Sequence, residues 1–96
     1  MYLYMTYKIK QYSFDQAKKL DVDIKPSTNK NKKIDIFKNN KKVASIGAIG
    51  YSDYPTYTLE KGKSYADNRR KLYKIRHNKD LQKINSNGYY ANKILW

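Results

Sequence analysis

Cysteine is absent from this 96-residue sequence, so no disulfide staples the fold, and thiolate metal sites and cysteine nucleophiles are excluded. His77 is the only histidine, which removes His-based zinc sites as well. No cofactor is expected. No apolar run approaches the roughly 20 residues needed to span a bilayer, so a membrane is not an expected partner. The opening Met1-Tyr-Leu-Tyr-Met-Thr-Tyr7 is too short and too rich in Tyr for a signal peptide, and the protein is expected to stay in the compartment where it is made. Aliphatic side chains are also scarce. The hydrophobic fraction is 40%, but 11 of those residues are Tyr, whose hydroxyls need partners or a wet edge. One domain with a thin core is the expectation, modestly stable alone or helped by a partner, with self-association left open.

Glutamate is the most informative scarcity. Abundant Lys, Asn, Ile and Tyr fit an AT-rich coding sequence, but that bias would enrich Glu equally. The chain has 18 Lys and a single Glu, Glu60. Drift does not separate the two, so the net charge of +13 reads as selected. Self-repulsion of that size costs stability and makes most sense against an anionic partner. The basic residues are spread over both halves of the chain, with no detachable tail and no internal repeat.

Leu3, Met5, Tyr7 and Ile9 alternate with Tyr2, Tyr4, Thr6 and Lys8, which predicts a strand. Ser13-Phe-Asp-Gln16 has the spacing of a capping box and predicts a short helix to about Leu20. Val22 and Ile24 form a brief extended piece ended by Pro26, and residues 25–33 read as a lysine-rich loop. The runs on either side of Asn39-Asn40 predict a β-hairpin over 33–46. Its register is open: a two-residue loop groups Ile34, Ile36 and Val43, whereas a three-residue loop groups Ile34, Ile36, Ala44 and Ile46. Pro55 is placed to open a helical turn that closes at Gly62. Ser64 reads as the N-cap of the longest helix, about 65–84, with Asp67 supporting its N-terminus. Tyr89 to Trp96 has helical spacing, and its apolar end is expected to dock on the core.

Within the long helix, Tyr65, Leu72, Tyr73 and Ile75 fall in one broad arc, and Arg69 and Arg76 project from inside it. The arginines either lay their stems on tyrosine rings and pair with carboxylates, or mark a semi-buried anion site where guanidinium forks grip phosphate. The chain's three arginines all lie within eight residues, which favours the second reading. The hairpin lysines are open to two readings, a solvated edge that prevents strand pairing or a ribbon that tracks a phosphate backbone. Tyr51 and Tyr54, in a Gly-flanked loop, are the pair expected to be exposed for stacking on bases. His77 either contacts phosphate or caps the helix. The carboxylates Asp53, Glu60, Asp67 and Asp80 are scattered singly, so no metal-dependent nuclease site is read and no catalytic residue is assigned.

The segments Lys33-Ile-Asp-Ile-Phe37, Val43-Ala-Ser-Ile-Gly-Ala-Ile-Gly-Tyr-Ser-Asp-Tyr54, Tyr65-Ala-Asp-Asn-Arg-Arg-Lys-Leu-Tyr-Lys-Ile-Arg-His77 and Gly88-Tyr-Tyr-Ala-Asn-Lys-Ile-Leu-Trp96 together resemble a family of small basic proteins. Large double-stranded DNA viruses and some bacteriophages encode that family, and its function is unassigned. The resemblance covers roughly residues 25–96 and leaves the first 24 outside. It implies a viral origin and a place in the virion or the infected cell. It permits a DNA-associated role or a small virion component in contact with capsid proteins, and carries over no catalytic residues.

The expected fold is α+β: a small antiparallel sheet including the hairpin, packed on the long helix and the docked C-terminal segment. The expected function is non-enzymatic binding of nucleic acid, DNA favoured, with low sequence specificity. The alternative is a minor capsid or cement protein. The residues expected to touch nucleic acid are Lys32, Lys33, Lys41 and Lys42 of the hairpin, Tyr51 and Tyr54 of the loop, and Arg69, Arg70, Lys74, Arg76 and His77 of the helix.

Overall fold

Asn39 and Asn40 set the geometry of the sheet. Both adopt positive φ, 52° and 65°, the conformation a two-residue type I′ turn requires and Asn tolerates. They join β2 (Lys32–Lys38) to β3 (Lys41–Ala48) in a computed structural model that describes residues 7–81 and 83–96. Lys38 pairs with Lys41 and Phe37 with Lys42, the register of a two-residue loop. A bulge then leaves Val43 unpaired, so that Ile36 faces Ala44 and Ile34 faces Ile46. The turn follows one of the two expected registers and the buried face follows the other. The bulge places Ile34, Ile36, Ala44 and Ile46 in the core and leaves Val43 exposed. β1 (Asp23–Pro26) adds the third antiparallel strand, with Ile24 opposite Ile36.

Two helices cover the apolar sheet face, α1 (Gln11–Lys19) and the C-terminal α5 (Asn87–Leu95). Their Ala17, Tyr90, Ile94 and Leu95 complete one core cluster with the sheet. The capping box does not form. α1 starts three residues early, from Lys10, with no side-chain cap, and Ser13 lies buried inside the helix. Its Oγ–H donates to the Ile94 carbonyl at 2.9 Å, and Gln16 donates to the Lys93 carbonyl at 3.0 Å. These carbonyls belong to the last turn of α5 and lack partners within their own helix, so satisfying them ties α1 to α5 and outweighs a local cap. α1 ends in a Schellman motif. Asp21 takes φ 59°, Val22 N–H reaches the Ala17 carbonyl at 3.1 Å, and Ala17 and Val22 share the core. The expected N-terminal strand falls largely on residues 1–6, outside the described residues. Tyr7 to Lys10 joins no sheet, although Tyr7 and Ile9 pack on the core.

α2 (Tyr54–Lys61) forms where Pro55 and Gly62 predicted it, capped by Asp53, whose carboxylate accepts the Thr56 N–H at 3.0 Å. α3 (Lys63–Arg76) follows directly from Gly62, which takes φ 92°. Ser64 therefore lies inside the first turn and is not the N-cap. Asp67 accepts from Lys63 Nζ and from the Tyr54 hydroxyl, each at 2.8 Å. The long helix stops at Arg76, eight residues short of the expected end, and a single turn, α4 (Asn78–Leu81), follows. His77 and Asn78 are weak helix formers, and the break lets the chain return for α5. No helix among the described residues is long and apolar enough to cross a membrane. The architecture is α+β, with the C-terminal segment docked as expected, but the helix that joins it over the sheet is α1 and not the long helix α3, which contributes no residue to the core cluster.

Candidate nucleic-acid interface

α3 presents an unexpected side to the protein. Of its apolar residues only Ala66 is buried, whereas Tyr65, Leu72 and Ile75 are exposed, the last by 65%. The inward surface uses guanidinium and aromatic groups. Arg70 lies 3.6 Å from the centroid of the Tyr54 ring, donates through Nε to the Trp96 main-chain oxygen at 2.8 Å, and reaches the Tyr12 hydroxyl at 3.4 Å. Lys74 donates to Asn92 Oδ1 at 2.6 Å, and burial followed by the nearby Arg70 and Lys93 charges lowers its pKa. Arg70 and Lys74 therefore hold α3 to the C-terminal segment. Tyr54, only 8% exposed, is not the open stacking ring expected.

The other two arginines line a cavity. Arg69 and Arg76, seven residues and almost two turns apart, point the same way along α3. With His77 they border a cavity of about 530 Å³ enclosed by Tyr57, Tyr73 and Trp96 and by the loop at Tyr51 and Ser52. The rings form a connected series. Trp96 stacks on Tyr73 at 4.4 Å and 9°, Tyr57 lies 6.2 Å from Trp96, and His77 lies 4.4 Å from Tyr73. Arg69 stands 5.5 Å from the centroid of Tyr57. Its Nε is buried and has no hydrogen-bond partner among the described residues. Arg76 Nε donates at 3.4 Å to His77 Nε2.

Lys33 contributes to this cavity as structure. It is buried, not displayed on the hairpin, and it bonds to Asp53 at 2.9 Å and donates to the Tyr51 carbonyl. The Asp53 carboxylate also accepts the Tyr7 hydroxyl at 2.6 Å. Burial opposes the charge on Asp53, but the Tyr7 hydrogen bond and Lys33 outweigh it and hold the carboxyl below its ordinary range. The same contact, added to burial, pushes the Tyr7 hydroxyl far up. With Lys33 and Asp53 cancelling, the cavity keeps the charge of its two arginines.

Of the residues expected to bind, Lys33, Tyr51, Arg69, Arg76 and His77 come together here. Lys32, paired with Ala48, lies at the same end of the hairpin. Lys41 and Lys42 lie beside the Asn39-Asn40 turn, about 20 Å away along the strands, and Lys42 is 3.5 Å from the buried Asp35. The larger cavity at that end, about 690 Å³, sets Lys18 and Lys25 against Asp21 and Asp23 and has no net pull on a polyanion. Sequence reasoning missed Tyr57, Tyr73 and Trp96 as cavity walls. Tyr73 carried a signal, since it is four residues after Arg69 and three before Arg76, the spacing that puts all three on one helix face.

No curated protein and no solved structure matches this chain. A family profile matches residues 22–77, more than half of the sequence and the part that supplies both cavity arginines, and the chain thus belongs to that family, which is described as a family of unknown function (DUF5754).

Proposed function

We propose that this protein binds nucleic acid without acting on it chemically, DNA first and with little sequence preference, in a viral setting. The observation that carries the reading is Arg69. A guanidinium with a buried, unpartnered Nε beside a second arginine, in a chain of net charge +13, is a place prepared for an anion. The carboxylates support a role without catalysis, because each described one that is buried is already engaged. Asp53 holds Lys33 and Tyr7, and Asp35 accepts from the Ser27 and Ser45 hydroxyls at 2.6 and 2.7 Å. Contact with about five phosphates gives a log–log salt slope for DNA binding near −4 to −5, and Arg69→Gln with Arg76→Gln reduces that slope by about 1. Absence of binding at 50 mM salt, or a slope indifferent to both substitutions, refutes the reading.

One observation favours a second reading, a small virion structural protein seated on capsid subunits. Leu59 and Ile75 stand exposed by 74% and 65%, more apolar surface than a thin core readily spares. Separating virions into shell and nucleoprotein core distinguishes the two, with recovery in the shell supporting the structural role.

A further inference from the structure

We infer that the Arg69–Arg76 cavity takes one unpaired nucleotide, its phosphate on the arginines and its base among the surrounding rings, so that the protein prefers single-stranded over duplex nucleic acid. The inference rests on the nucleic-acid reading above and narrows it to a ligand unit.

Three features point the same way. The first is size. About 530 Å³ lies in the range that encloses a small organic molecule, and the space is walled by α3, the loop at Tyr51 and the C-terminal Trp96. A base within a duplex is stacked and paired, and it enters such a space only by being flipped out against that stacking, whereas a single strand offers its bases freely. The second is charge. Lys33 is neutralised by Asp53 at 2.9 Å, which leaves two arginine charges. Two guanidinium groups can grip one phosphate group between them, and the unpartnered Arg69 Nε supplies a hydrogen bond that no described protein group uses.

The third feature is the wall chemistry. Trp96 stacked on Tyr73 forms a fixed aromatic surface, held by Arg70 on the Trp96 main-chain oxygen. Tyr51 stands at the rim, 75% exposed, with its carbonyl anchored by Lys33 and its ring free to close on a base. Every base has an aromatic face, so stacking of this kind is tolerant of sequence.

The test uses Trp96, the only tryptophan, as reporter. The full chain is titrated with thymidine 5′-monophosphate, with an eight-residue oligothymidylate, and with a duplex of the same length at one salt concentration. The expected result is quenching of Trp96 by the mononucleotide and an affinity for the single strand at least tenfold above that for the duplex. Tyr51→Ala, which keeps the carbonyl that holds Lys33, lowers single-strand affinity about tenfold and shrinks the preference for the single strand with it. Equal affinity for both forms, with Tyr51→Ala silent, overturns the inference, while salt-dependent duplex binding in that experiment keeps the broader reading. Quenching by the mononucleotide with no binding of either oligonucleotide overturns the link to a strand and identifies a free nucleotide as the ligand. Binding of neither oligonucleotide nor mononucleotide overturns both proposals.

Discussion

Asp53→Ala should be the most damaging single substitution of a polar residue. The carboxylate is 1% exposed and does three jobs at once. It caps α2 through the Thr56 N–H, a contact worth about 1 kcal/mol. It accepts the Tyr7 hydroxyl, worth about 1 kcal/mol or more because the acceptor is charged. It also neutralises Lys33, and removing one member of a buried ion pair costs about 3–5 kcal/mol because the other charge is stranded. The three contacts share one group and do not add in full, so about 4 kcal/mol is expected. A domain of this size loses about 4–8 °C in Tm per kcal/mol, which puts the fall at roughly 15–30 °C by circular dichroism. The double variant Lys33→Met with Asp53→Ala should regain more than half of that loss, because no charge is then stranded. A fall in Tm below about 5 °C for the single variant, or a double variant no more stable than it, refutes the assignment of the cost to the orphaned ammonium.

The same carboxylates give the acid limb of stability a definite shape. Asp53 and Asp35 both have folded-state pKa values below the ordinary one, against the opposing effect of burial, so their contribution is complete above the unfolded value near 4 and is lost as pH falls through the lower folded value. Urea unfolding should therefore show nearly constant stability from these groups between about pH 7 and pH 5 and a decline below about pH 4, which Asp35→Asn flattens. Gly47 takes φ 80°, and a Cβ there would lie 2.8 Å from Leu95 Cδ1 and 2.9 Å from Lys33 Cδ, so Gly47→Ala should cost about 2–3 kcal/mol in the same assay. Arg70→Ala removes a charged hydrogen bond and a ring contact at 3.6 Å and should cost about 2 kcal/mol. Trp96 emission should move red in that variant, and an unchanged spectrum would separate Arg70 from the placement of the tail.

What the sequence makes legible is local chemistry. The hairpin follows from two consecutive Asn residues between alternating runs, α2 from Pro55 and Gly62, and the docked tail from an Ile-Leu-Trp end too apolar for water. What it hides is tertiary competition. Ser13 and Gln16 have the right spacing for a capping box, but the carbonyls that end α5 need donors, and Ser13 and Gln16 supply them. The hairpin register cannot be chosen by pattern alone, because the bulge at Val43 satisfies the turn and the core in sequence. Lys33 looks like any other lysine of a basic ribbon. Its burial depends on Asp53, 20 residues away, and on a glycine at 47 that leaves room for its stem.

Tertiary competition also sets which face α3 turns inward, and that choice builds the site. A helix with Tyr65, Leu72, Tyr73 and Ile75 on one side normally turns that side inward. Here the neighbours across the interface are rings. Tyr54 and Tyr57 are covered by guanidinium groups, which stack on aromatic faces and still keep donors to spare, and Trp96 is covered by Tyr73, a ring of the arc that does turn inward. Once Arg69 and Arg70 take the inner positions, the helix rotates its aliphatic residues outward, and the resulting surface is both the candidate cavity and the exposed apolar face. The cations of the cavity lie within residues 22–77, the segment the family profile matches, whereas Trp96, which follows α5, lies beyond it. Tyr51, Tyr57 and Tyr73 lie in the same segment as the arginines, so only the Trp96 part of the aromatic wall is separable from anion recognition. A relative with the same α3 and a different tail would keep a place for phosphate and lose the ring that stacks on Tyr73.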